Sequence, residues 1–302
     1  MNGFCPRSAS VQLPNRHLHN QGDDYLYHLN FSKNLDKLPQ LFGDVKFCLC
    51  GGTTSRMAKL ARLLESVVPG VPAGTAENNL CTSGRYHMYK VGPVLCVNHG
   101  IGAASCGLML IELLKLLHYA QATNVTFFRI GTSGGLGVEP GTTVITTQAL
   151  NGLLQPYYTE YVLGKEHQRP AQFDPSVIAE LQTLLRDTSF PYPTVFGKTM
   201  AANDFYEGQA RLDGLFCEYD EHEKCAFLEQ LRGVGVVNIE MEAVAFAAVT
   251  CRANVRAGMV TTTLLDRSGG DQVTASTEQR QEWELRPCKL IAAYIQQALL
   301  RN

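Results

Sequence analysis

From Asp44 onward the apolar residues recur in two alternating patterns. Short runs, VKFCLC (45–50), HMYKVG (87–92), PVLCVNHG (93–100) and NVTFFRIG (124–131), have the length and the β-branched or aromatic content of buried strands. Between them, SRMAKLARLLESV (55–67) and ASCGLMLIELLKLLHYA (104–120) keep their apolar residues on one stripe at helical spacing. NVTFFRIG is read as a strand entering a glycine-rich turn, TSGGLG (132–137), and TTVITTQAL (142–150) as a further strand. A helix is predicted over 174–186, and VGVVNIE (234–240) reads as a strand running into the helix MEAVAFAAVTCRA (241–253). RAGMVTTTLLD (256–266) predicts a strand, and a helix over 279–301 closes the chain. Strands alternating with helices along one undivided chain predict an α/β sandwich with a largely parallel or mixed sheet. Residues 1–24, polar and scattered with His, Asn and Pro, are expected to be a flexible segment ahead of one domain over 25–302.

Composition narrows the function classes. A net charge of −2 and a pI near 6.4 offer no polybasic face, so neither nucleic acid nor an anionic membrane is expected as a partner. No apolar run approaches the roughly 20 residues that span a bilayer, and the N-terminus lacks the apolar stretch of a secretory signal. Five of the ten cysteines, Cys48, Cys50, Cys96, Cys106 and Cys251, lie inside apolar elements, and there is no CxxC pair. This usage points to a reducing, cytoplasmic compartment. The eight His show no ligand spacing of the HExxH kind, so no catalytic metal is expected.

In alternating α/β folds ligands sit at the carboxyl ends of the strands, which makes the residues just after each strand the ones to read. Gly51-Gly52-Thr53-Thr54-Ser55-Arg56 combines glycines, a helix start with Ser55 able to cap it, and an arginine one turn in. That combination suits an anion, although a solvated Arg beside a Gly-rich turn fits as well. Arg129, flanked by Phe127, Phe128 and Ile130, should be buried; a buried Arg faces either an anion or a structural carboxylate. In the 204–214 stretch, Gln209 offers paired donor and acceptor groups suited to a pyrimidine edge, Arg211 a donor for a carbonyl, and Phe205 a stacking face. A polar surface loop would read the same way. Glu240 and Glu242 suit either ribose hydroxyls or a helix N-terminus, and Leu265-Asp266-Arg267 alone is only a turn. Gly197-Lys198-Thr199 lacks the earlier glycine of a P-loop, and Gly100-Ile101-Gly102 lacks the third glycine of a dinucleotide fingerprint.

Taken in order, IGTSGG (130–135), DFYEGQARLDG (204–214), NIEME (238–242) and LDR (265–267) resemble the uridine phosphorylases of the nucleoside phosphorylase-I superfamily. KVGPV (90–94) and LFGDVKF (41–47) are similar to the animal members, and the resemblance runs from about His28 to the last helix. It implies a single-domain α/β/α sandwich whose mixed sheet is partly barrel-like. It also implies reversible phosphorolysis of uridine to uracil and ribose 1-phosphate, with inorganic phosphate as co-substrate and no cofactor. Phosphate would be held by Gly52, Arg56, Arg129 and Thr132, with Arg85 donated by a neighbouring subunit. Ribose would meet Met241, Glu242 and the neighbour's His28; the base would meet Gly134, Phe205, Gln209 and Arg211, with Arg267 nearby. Of these, Arg129, Gln209, Arg211 and Glu242 would carry catalysis, in a homo-oligomer, a dimer being favoured, with sites shared between subunits. The position where bacterial relatives carry a cation-binding Glu is Tyr86 here, so the resemblance does not extend to that ion site. Asp266 stands roughly where purine-specific relatives carry an acid, which keeps a purine or broad-specificity enzyme open beside a hydrolase and a non-catalytic nucleoside-binding paralogue.

Overall fold

Residues 9–18 and 20–301 are described by the computed structural model, in which the buried apolar runs form the interior of one eight-stranded sheet. The strands are β1 (Tyr25–Leu26), β2 (Phe31–Ser32), β3 (Phe47–Gly51), β4 (Met88–Val91), β5 (Val94–Asn98) and β6 (Thr126–Gly135). They continue as β7 (Thr143–Leu150), β8 (Tyr157–Val162), β9 (Lys165–Pro170), β10 (Thr194–Ala201), β11 (Val236–Glu240) and β12 (Arg256–Asp266). The helices are α1 (Leu38–Phe42), α2 (Thr54–Glu65), α3 (Ala103–Tyr119), α4 (Pro175–Asp187), α5 (Glu221–Gly233), α6 (Ala243–Arg252) and α7 (Thr277–Leu300). β1/β2 and β8/β9 are separate hairpins, and the main sheet runs β11-β10-β7-β12-β6-β3-β5-β4. An extra pairing of β11 with β6, Asn238 opposite Gly135 and Ile239 opposite Gly134, closes five of these strands into a partial barrel. This is the mixed, partly barrel-like α/β domain expected.

The period of two along a strand splits the core into two layers. In β3, Cys48 and Cys50 join the cluster under α3 and α6, while Leu49 joins the one under α2, α4 and α7. In β6, Phe127 goes to the first layer and Phe128 and Ile130 to the second. Arg129 therefore falls on the side of Phe127, below the starts of α3 and α6, where it pairs with Glu240 and Glu242.

Several expectations need correction. TSGGLG is not a turn up to Gly135: β6 continues through it, because Gly134 and Gly135 let neighbouring chains approach closely enough to pair with β12 and then β11. A Cβ on Gly135 would lie 3.1 Å from the Leu265 carbonyl oxygen. Thr53, not Ser55, caps α2, its hydroxyl accepting from the Arg56 N–H. The polar hairpin β8/β9 and strand β10 escape the apolar pattern, and Gly197-Lys198-Thr199 lies inside β10. The helix expected over 279–301 is observed as α7, which continues through Pro287 with Trp283, Cys288, Leu290, Ile291 and Ile295 buried. The expected flexible segment over 1–24 falls partly on residues 1–8 and 19, which lie outside the described residues. Of the rest, Val11 is buried, Ser10 bridges Thr123, and Asp24 pairs with Lys115 at 2.7 Å.

Candidate active site

The carboxyl ends of β3, β5, β6, β11 and β12, with the loop after β10, surround one cavity of about 430 Å³. It gathers Gly52, Arg56, Arg129, Thr132, Gly134, Phe205, Gln209, Arg211, Met241, Glu242 and Arg267, eleven of the thirteen residues the sequence singled out. The parallel strands β3, β5, β6 and β12 end on the same side of the sheet, and the closure of β11 onto β6 brings the β10 and β11 ends to them.

At one end are Gly52, Arg56, Arg129 and Thr132. Arg56 is buried rather than solvated, 3.5 Å from Glu284 of α7, and its Nε has no partner among the described residues. A Cβ on Gly52 would lie 3.2 Å from the Gly100 carbonyl, so the close passage of the two strand ends requires glycine. Arg129 is 3% exposed and pairs with Glu240 at 2.8 Å and with Glu242. Burial works against its charge, but the two carboxylates more than offset this and hold its pKa above the usual value. Both readings of this residue thus apply: it is ion-paired in the core and it lines the cavity. Glu242 opens α6 and accepts the Gly102 N–H at 2.6 Å; burial opposes its ionisation, while Arg129 and then His99 favour it enough to lower its pKa. Glu240 accepts the N–H groups of Glu242 and Ala243, yet burial raises its pKa.

At the other end Arg211 lies 4.4 Å over the Phe205 ring and forks onto Asp213 at 2.9 and 2.7 Å. Gln209 is buried at the cavity wall. Arg267, 1% exposed, donates through Nη2 to the Gln209 and Ala210 carbonyls at 2.8 and 3.3 Å. Burial lowers its pKa, and its Nη1 has no partner among the described residues.

Two predicted residues lie elsewhere. His28 is held by Glu112 of α3, Nδ1 to Oε1 at 2.7 Å, and Arg85 is exposed; Ser83 joins them, its hydroxyl donating to the His28 carbonyl and accepting the Arg85 N–H. Asp266 also lies outside the cavity. Its carboxylate accepts the N–H groups of Ser268 and Gly137, a turn-capping role that leaves it unable to reach a base there. Sequence reasoning missed Asp271, Gln272, Val273 and Arg280, which line the cavity from the segment after β12 and from α7. It also missed His99, fully buried under Gly52, whose pKa is pushed down to about 3 by burial and by Arg129. None of these sits in a motif, and only position relative to a strand end distinguishes His99.

A sequence model described as "Phosphorylase superfamily" matches residues 46–296. The chain is similar to the uridine and thymidine phosphorylase of Caenorhabditis elegans, 44% identical over 298 residues that cover 98% of each chain. It is 41% identical to uridine phosphorylase 1 of Mus musculus over 292 residues, 96% of this chain and 94% of that one. The crystal structure of Schistosoma mansoni uridine phosphorylase in complex with uracil superposes with a TM-score of 0.89 at 37% identity, covering 94% of this chain and 98% of that one.

Proposed function

The chain belongs to the phosphorylase superfamily, among its uridine phosphorylases, and on that footing we propose how its residues share the work of the reaction. It is a pentosyltransferase that catalyses the reversible phosphorolysis of uridine to uracil and ribose 1-phosphate. In our reading phosphate rests on Gly52, Arg56, Arg129 and Thr132, ribose on Met241 and Glu242, and the base on Phe205 against Gln209, Arg211, Gly134 and Arg267.

The observation that carries this reading lies on β6. Gly131 abuts Arg129 and Gly134 abuts Arg267, so the two cationic ends of the cavity are three extended residues apart. At about 3.3 Å per residue that is roughly 10 Å, the span from a phosphate to the far edge of a pyrimidine nucleoside. Loosening the C1′–N1 bond leaves positive charge on ribose and negative charge on uracil. Phosphate attacks C1′ from the opposite face and inverts it, so no protein nucleophile and no cofactor are needed. The protein contributes position and preorganised charge. Gln209, Arg211 and Arg267 receive the charge spreading onto the uracil oxygens, while Glu242, held by Gly102 and Arg129, accepts from the ribose hydroxyls.

Arg85 and His28 would complete a neighbour's site in a homodimer. Supporting this, they are tied into one surface cluster by Ser83, and Leu108 and Ile111 of α3, with Ile101 just before it, are exposed apolar side chains. A cytoplasmic location fits the free thiols of Cys48, Cys50, Cys81, Cys96, Cys106 and Cys288, and no described helix is long and apolar enough to cross a membrane.

The test is consumption of uridine with and without phosphate, in the wild type and in Gln209→Ala. Turnover should require phosphate and fall at least about a hundredfold in the variant. Phosphate-independent turnover, or an unchanged rate in Gln209→Ala, would refute the assignment of the base site.

A further inference from the structure

We propose that Asp271 is a positioning residue for base recognition: it fixes Arg267 with one guanidinium nitrogen left over, and locks together the two loops that form that end of the cavity. The proposal rests on the base-site reading above. Asp271 stands in the segment between β12 and α7, four residues beyond the LeuAspArg motif, and lines the cavity with its side chain 8% exposed.

Its contacts use both carboxylate oxygens and its backbone carbonyl. Oδ1 accepts from Arg267 Nε at 3.1 Å and lies 3.0 Å from Nη2 as an ion pair. Oδ2 accepts the Leu212 N–H at 2.9 Å and the Lys224 ammonium at 2.9 Å. The Asp271 backbone carbonyl accepts from Arg211 Nη2 at 2.6 Å. One residue with a buried side chain thus touches both base-side arginines, the backbone of the 204–220 loop and a cation of α5. Burial opposes its charge, yet Leu212, Lys224 and Arg267 together keep the carboxylate ionised.

The arithmetic on Arg267 gives the function. Nε donates to Asp271, and the two Nη2 hydrogens go to the Gln209 and Ala210 carbonyls. Nη1 alone is buried without a partner among the described residues, and leaving such a donor unmet is costly. The side chain packs closely against Gly134, its Cγ 2.8 Å from where a Cβ there would be. Asp271 takes Nε and the Gln209 and Ala210 carbonyls take Nη2, so Nη1 is the donor this cavity-lining arginine keeps in reserve; a carbonyl oxygen of the base would satisfy it and an exocyclic amino group would not. Asp271 sets donor polarity at the site without touching substrate.

The experiment compares Asp271→Asn, Asp271→Glu and Lys224→Met, measuring kcat/KM for uridine, KM for phosphate and Tm. Asp271→Asn should lower uridine kcat/KM by about tenfold or more with phosphate KM unchanged. Asp271→Glu, which keeps the charge and safeguards folding, should show the same one-sided effect with a smaller loss. Lys224→Met removes the same buried ion pair from its outer side, and should lower Tm while leaving uridine kcat/KM within about twofold. Equal losses in Asp271→Asn and Lys224→Met, or phosphate KM rising in step with the uridine defect in either Asp271 variant, would overturn the proposal and leave Asp271 a structural ion pair. If Gln209→Ala retains full activity, the base-site reading fails instead, so the two failures are distinguishable.

Discussion

A single methyl group added at Gly131 or at Gly134 should disturb opposite ends of one reaction. At Gly131 a Cβ would stand 2.7 Å from Arg129 Nη1, a guanidinium already pinned by Glu240 and Glu242. At Gly134 it would stand 2.8 and 3.0 Å from Cγ and Cδ of Arg267. Overpacking of this kind costs about 1–3 kcal/mol, so Gly131→Ala should raise phosphate KM about tenfold and Gly134→Ala should raise uridine KM by a similar factor. Steady-state kinetics with each substrate varied in turn separates the two. His99 makes a second prediction. Its folded pKa, near 3, lies below the ordinary value of 6.5, so the unfolded chain binds a proton that the folded one does not. Stability from this residue is complete above about pH 6.5 and is lost as pH falls toward 3. Glu240 acts with the opposite sign, but it is present in both proteins of a comparison. Wild type should therefore lose Tm more steeply than His99→Gln between pH 7 and 5, and parallel curves would remove His99 from the account.

Among the elements, legibility followed the source of each element's stability. β3, β6, β12 and α3 are stabilised by burial, so the apolar period announced them, and the predicted bounds of β12, 256–266, match the observed strand. β8 and β9 are half-exposed and charged; their pairing rests on cross-strand backbone bonds that leave no hydrophobic signature. β10 was hidden by Gly197, which looks like a breaker in sequence. In the sheet that glycine is needed, because a Cβ there would meet the Val237 side chain at 2.4 Å. The TSGGLG error has the same origin: glycine marks either a turn or a close approach, and only the neighbouring strand decides which. Pro287 is the converse, a breaker overridden by the buried face of α7.

For the whole molecule, the exposed apolar stripe of α3 is the feature a lone protomer does not account for. Ile111 is 52% exposed to solvent among the described residues. Ile111→Glu should convert a dimer to monomers by light scattering and remove most activity while preserving the circular dichroism spectrum. An unchanged mass and rate would detach the site from the assembly. By itself the sequence determined the fold class, the strand-end motifs and, through their order, the kinship with nucleoside phosphorylases. These are local or sequential properties: period, glycine placement, and residues fixed at short spacing along one strand end. Only the tertiary structure decided that Asp266 turns away from the cavity, that Arg129 is shared with Glu240 and Glu242, and that Asp271 binds both base-side arginines. Those facts depend on which strand ends lie side by side, and residues sixty or a hundred positions apart carry no mark of that in their own neighbourhoods.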